Sequence, residues 1–183
     1  MRHICNTNIK YGYPKIVDAT YSKNSHERVL AMAKMDRDLG TNMIRGITVA
    51  LQSVNNSTLS SIRRFNLVPQ KQAEFVHELQ ILQIPNYVEL IWPLPYETLD
   101  SLCHGIDTSI NQGLNTWIGV YATCLQESTD LYWDHQDDYV HSSNGLTPVA
   151  SRWASEEDVI TGHVVYNWIC ALYFFGHARV ALD

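Results

Sequence analysis

Three short stretches of this 183-residue chain carry side chains that could do chemistry. "GITVALQSVNNSTLSSIRRFN" delivers Gln52 and Ser53 to the end of an apolar run, with Arg63 and Arg64 one short helix later. A guanidinium pair in that position suits a carboxylate or a phosphate, which arginine grips bidentately. "NYVELIWPLPYET" sets Glu89 two residues from both Tyr87 and Ile91, so the three share one face of a strand. A carboxylate inside a strand needs a partner or a ligand. "DLYWDHQDDYVHSS" gathers Asp134, His135, Asp137, Asp138 and His141 like a list of metal ligands. Its spacing matches no known coordination geometry, and a solvated loop is the simpler reading.

The elements that must position these residues are legible as alternating strands and helices as far as Gln126. Strands are expected in "PKIVDATYS", "GITVALQ", "NYVELIWPL" and "NTWIGVYATC". Helices are expected in "SHERVLAMAKMDRDLG", "NSTLSSIRRFN", "PQKQAEFVHELQILQI" and "YETLDSLCHGIDTSINQGL". Ser25 and Asn56 or Ser57 are placed as caps, and Gly40 as a stop. Ala73, Val76, Leu79 and Leu82 form an apolar stripe in the third of these helices. Strands separated by helices indicate βαβ units and a parallel sheet, whose ligands gather at the carboxyl ends of the strands. Those ends would present Lys23 and Asn24, then Gln52 and Ser53, then Trp92 to Thr98, then Thr123 and Cys124, around one mouth. The expected fold is therefore α/β, a partial (β/α) barrel over 1–126. A polar loop follows over 127–154, and a C-terminal helical extension over 155–183 is opened by a Ser155–Asp158 capping box. The loop is long enough to be functional rather than filler.

Composition limits the chemistry further. Thirteen basic and nineteen acidic residues leave a net charge of -6. This argues against broad electrostatic binding to nucleic acid. Cys5, Cys103, Cys124 and Cys170 are scattered, with no C-x-x-C spacing for zinc or iron–sulfur and no disulfide framework. Buried, reduced cysteines are expected, and a cytoplasmic location with them. "MRHICNTNIKYGYPK" has no apolar segment of the secretory kind. The apolar run from Val159 to Gly176 is interrupted by Thr161, His163 and Asn167, which favours a buried helix over a membrane span. His163 and His177 read as core or helix-end histidines.

Taken in order, these stretches resemble the radical S-adenosylmethionine (SAM) enzymes. "GITVALQSVNNSTLSSIRRFN" is similar to their fourth-strand segment, G-I-T-hydrophobic-x-hydrophobic-Q-S followed by K/R-R-x-N. "IPNYVELIWPLPYET" is similar to the fifth, I-P-T-Y-x-E-L-I-x-G-L-P-G-E-T, and "YGYPKIVDATYSKNSHERV" to the third. "ASEEDVITGHVVYNWICALYFFGHARV" resembles a late S-x-E-D-W helix of the subgroup with a cobalamin-binding domain. The resemblance covers nearly the whole chain except Glu127 to Ala150. It implies a four-iron, four-sulfur cluster, SAM and, in this subgroup, cobalamin, with reductive SAM cleavage to a 5′-deoxyadenosyl radical. It places Asn24, Gln52 and Ser53 at the ribose and methionine ends of SAM and Arg64 at the methionine carboxylate. Glu89 and Ile91 to Leu94 fall beside the adenine.

The departures shape the expectation as much as the matches. These residues hold no C-x-x-x-C-x-x-C cluster motif, and the resemblance leads one to expect neither the family's first two strands nor its cobalamin domain in them. Pro93 and Tyr96 stand where the family has glycines, which removes backbone freedom and close approach. The leading expectation is the SAM-binding half-barrel of a radical SAM enzyme, inactive alone. The alternative is a degenerate half-barrel that self-associates or pairs with a partner chain supplying the missing strands, since an open strand edge invites pairing. A hydrolase or glycosidase using Glu89 and Asp134 is a third reading.

Overall fold

The computed structural model describes residues 1–18, 25–112, 117–143 and 145–174. Its residues divide into two compact units: Met1–Val49 with Leu67–Tyr87, and Ala50–Asn66 with Val88–Asp183.

The first unit carries α1 (Arg2–Tyr11), α2 (His26–Asp38) and α4 (Pro69–Ile81). Gly12 ends α1 in the left-handed region at φ 74°, where its N–H reaches back to the Asn8 carbonyl. Leu39 closes α2, and Gly40 turns the chain away at φ 69°. The expected third-strand segment is present as one parallel bridge, Val17 to Ile44; its residues Ala19 to Ser22 lie outside the described residues. The buried stripe of α4 is Gln72, Phe75, Val76 and Leu79, while Ala73 is exposed and Leu82 only half-buried. The expected stripe advanced by three residues at every step and so drifted around the helix. The true one follows i, i+3, i+4, i+7.

A buried carboxylate organises the turn after α2. Asp36 is fully buried and accepts hydrogen bonds from Thr41 Oγ1 at 2.6 Å, Ile44 N at 2.9 Å and Met43 N at 3.0 Å. Its neighbour Arg37 reaches Asp36 Oδ2 at 3.3 Å and donates to the carbonyls of Leu82 and Ile44. Burial alone would raise the Asp36 carboxyl, but the Thr41, Ile44 and Met43 hydrogen bonds and the Arg37 charge hold it below its ordinary range.

Strands β1 (Ile47–Gln52), β2 (Asn86–Trp92) and β3 (Trp117–Ala122) form a three-stranded parallel sheet in that order. Burial alternates along β1 and β2, with Leu51, Val88, Leu90 and Trp92 on the covered face. In the second unit, α5 (Leu99–Asn111) and α7 (Glu156–Ile169) pack on each other. Gly105 of α5 lies against Val54 and Leu90. Gly162 of α7 meets Trp92 so closely that a Cβ there would stand 2.6 Å from its indole nitrogen. That nitrogen donates to the Val159 carbonyl, so the fully buried Trp92 is satisfied by the helix that covers it. Both helices start on capping boxes, Thr98 with Ser101 and Ser155 with Asp158.

The stretch read as a polar loop over 127–154 is largely structured. It contains α6 (Asp130–His135), a 3₁₀ turn over Gln136–Asp138, and an antiparallel hairpin of β4 (Tyr139–His141) and β5 (Pro148–Ser151). Its aromatic and acidic residues disguise strands too short to show a period. After α7, a π-helical turn runs over Cys170–Phe174; Gly176 and His177 lie outside the described residues. No helix among the described residues is long and apolar enough to cross a membrane.

Candidate functional site

All the placed candidate residues belong to the second unit. Asn24 lies outside the described residues. The three parallel strands carry Gln52, Trp92 and Ala122 at their carboxyl ends, and the turn after β2 is hydrogen-bonded to both of the other two.

β1 ends on Gln52, whose backbone is left-handed at φ 60°. The kink passes the chain to Ser53, which is buried; its Oγ accepts the Asn55 N–H at 2.9 Å and its carbonyl accepts Asn66 Nδ2 at 2.7 Å. Asn55 caps α3 (Asn56–Ser61) by accepting from Ser57 N, one residue earlier than the sequence suggested. Its amide nitrogen donates to the Tyr96 carbonyl at 2.9 Å and so ties the end of β1 to the turn after β2. The Ser53 hydroxyl is thus held within the fold, while Gln52 stands on the half-buried face of β1 beside Ala50.

The twin arginines separate in role. Arg63 leaves α3 at φ 54° and bridges two carboxylates of α6, Asp130 at 2.6 Å and Asp134 at 2.7 Å. These ions are exposed, so the bridge orients α6 more than it stabilises it. Arg64 is exposed, and its side chain has no partner among the described residues. It therefore keeps the charge that the resemblance assigns to a carboxylate.

Glu89 sits mid-strand on the half-buried face of β2 with Ile91. Burial raises its carboxyl above the usual range, and no side chain among the described residues partners it. Of the stretch Ile91 to Leu94, only Ile91 is half-exposed; Trp92, Pro93 and Leu94 are buried on the covered side. The turn is fixed from several directions. The Pro93 carbonyl accepts from Thr123 Oγ1 and from the Tyr139 hydroxyl, and the Trp92 carbonyl accepts Thr123 N. Tyr96 adopts φ 62°, the left-handed conformation that glycine reaches without strain. The turn shape that a glycine would favour is kept although the glycine is gone. The Tyr96 ring leans on Trp153 at 4.6 Å between centroids and meets His135 edge-on.

Sequence reasoning missed Glu97. It is almost wholly buried, with Oε1 at 2.7 Å from Ser101 Oγ. Burial raises its carboxyl, and the hydroxyls of Ser53, Ser101 and Thr58 pull in the opposite direction. Glu97 is bonded to the first turn of α5, while its Oε2 is buried near Ser53 and Thr58 with no hydrogen-bond partner among the described residues. The signal available was a carboxylate beside a capping threonine in "PYETLD".

Among the described residues no group of three His, Cys, Asp or Glu side chains is placed to hold a metal ion. Cys5 and Cys170 are buried, Cys103 is half-buried and Cys124 exposed, all as free thiols. They do not fit an iron–sulfur cluster. An unpartnered Glu89 on the half-buried face of β2 does fit a polar ligand such as SAM.

Comparison with known proteins bears on the fold first. The chain aligns with coproporphyrinogen III oxidase from Escherichia coli, a radical SAM enzyme, with a TM-score of 0.52 at 13% identity. The match covers 75% of this chain and 29% of that one. The fold is accordingly a partial radical SAM barrel. No protein-family model matches. In sequence, the chain is similar to two methyltransferases, each 30% identical over 110 residues. One is the 2-(S-pantetheinyl)-carbapenam-3-carboxylate methyltransferase of Streptantibioticus cattleyicolor, the other the cobalamin-dependent radical SAM methyltransferase TokK of Streptomyces tokunonensis. Each match covers 60% of this chain, which spans only 16% of either relative.

Proposed function

We propose that this chain forms the SAM-facing wall of a radical SAM methyltransferase of the cobalamin-dependent kind. The observation that carries the reading is the 30% identity over 110 residues with the two methyltransferases. SAM supplies the methyl group or the radical precursor in such chemistry. The residues here would bind and orient it. Glu89 would accept hydrogen bonds from the adenosine, and Gln52 would offer its amide at the end of β1. Arg64 would neutralise the methionine carboxylate. Ser53, Asn55 and Glu97 would fix the turns that carry these groups.

The same reading gives this chain no cluster of its own. Anaerobic reconstitution with iron and sulfide should leave substoichiometric iron and no charge-transfer absorption. A stoichiometric cluster spectrum lost on substituting Cys5, Cys103 or Cys124 would contradict it.

A further inference from the structure

The acidic run that resembles a metal-ligand list contains a different constellation. His135 closes α6 and Asp138 lies in the turn after it, while Ser61 ends α3, 74 residues earlier. Ser61 Oγ stands 2.8 Å from His135 Nε2, and His135 Nδ1 stands 2.9 Å from Asp138 Oδ2. A carboxylate acceptor at Nδ1 keeps the proton on that nitrogen and leaves Nε2 free to accept the serine proton. The imidazole is held in place: its side chain is 13% exposed, and Tyr96 and Trp153 meet it edge-on at 6.4 and 6.2 Å. Ser61 is half-buried, so a reagent can reach it. Serine, imidazole and carboxylate in this relation are recognised by geometry, not by chain order.

We propose that Ser61, His135 and Asp138 form a nucleophilic site that accepts an acyl or phosphonyl group from an activated ester. As the Ser61 Oγ–carbon bond forms, the hydroxyl proton passes to His135 Nε2 and the carbonyl π pair moves onto oxygen. When the carbonyl re-forms, the leaving group departs with the bond pair and takes the proton from Nε2. Water then enters by the same route and releases the acid. The local backbone narrows the substrate class. The N–H groups of Ile62, Arg63 and Arg64 are already bonded to the carbonyls of Thr58, Ser60 and Leu59. No backbone oxyanion hole is available at these positions, so the substrate must bring its own good leaving group: an aryl ester, a thioester or a fluorophosphonate. Tyr96 and Trp153 beside the imidazole suit a flat or apolar acyl portion.

Treating the purified chain with an alkyl fluorophosphonate and mapping the adduct by mass spectrometry tests the proposal. One adduct is expected, on Ser61, absent in Ser61→Ala and unchanged in Ser60→Ala. His135→Gln keeps a hydrogen-bonding side chain but no base, and should slow labelling by about 100-fold at an unchanged melting temperature. Ser61 labelling at the wild-type rate in His135→Gln would overturn the proposal. So would labelling of Ser57 and Ser60 as fast as Ser61, or no adduct on Ser61 in the folded chain.

Discussion

Replacing Asp36 with alanine is expected to cost about 3–5 kcal/mol of stability, read as a fall in the urea midpoint. The buried carboxylate is the common acceptor for Thr41 Oγ1 and the backbone N–H groups of Met43 and Ile44. Removing it strands two buried amides and leaves the part-buried Arg37 guanidinium without its nearest counter-charge. Asp36→Asn retains one acceptor oxygen and should cost less, about 1–3 kcal/mol. The pH dependence has a definite sign. The folded carboxyl lies below its ordinary value of 3.8, so its contribution is complete above that value. It is lost as the pH falls through the lower, folded value. Wild type should therefore lose stability on acidification below about pH 3.8, and Asp36→Asn should lose less over that window.

Glu97 should behave in the opposite way. Glu97→Ala opens a cavity beneath three elements and should cost about 2–4 kcal/mol. Glu97→Gln keeps an acceptor for Ser101 and removes a charge whose burial is unfavourable, so it should be neutral or stabilising at pH 7. Burial raises this carboxyl above its ordinary 4.5. Its contribution is therefore fully present below 4.5 and is lost as the pH rises through the folded value. The advantage of Glu97→Gln over wild type should accordingly grow between pH 4.5 and pH 7. Urea melts of the two proteins at both pH values measure it, and a constant difference would rule out a buried Glu97 that titrates.

These two carboxylates show where the sequence stops being readable. The parallel strands declared themselves because β-branched and apolar residues alternate over six or seven positions between helices with recognisable caps. The Ser155–Asp158 box was legible for the same reason, since its partners are three residues apart. Asp36 and Glu97 were not legible. Asp36 lies on a helix beside other charges, and its partners come from the following turn. Glu97 is buried near Thr58 of α3 and Ser53 after β1, some 40 residues away. The site shows the same division. The places of Gln52 at the end of β1, Glu89 within β2 and Arg64 one short helix after β1 could be read from the pattern. That Ser53 is held inside the fold, and that His135 faces Ser61, are facts of tertiary packing. Tyr96 is the instructive case. Its identity suggested a lost glycine turn, but its backbone keeps φ 62° and its ring rests on Trp153, a residue from the stretch read as a loop.

The proposal that the open face of β1 and β2 receives SAM is tested most directly by calorimetric titration of SAM into the purified chain and into Glu89→Ala. Saturable one-to-one binding is expected, weakened about tenfold, or about 1.4 kcal/mol, by the loss of a charged hydrogen-bond acceptor. Absence of binding at millimolar SAM, or equal affinity for the folded variant, would contradict the account.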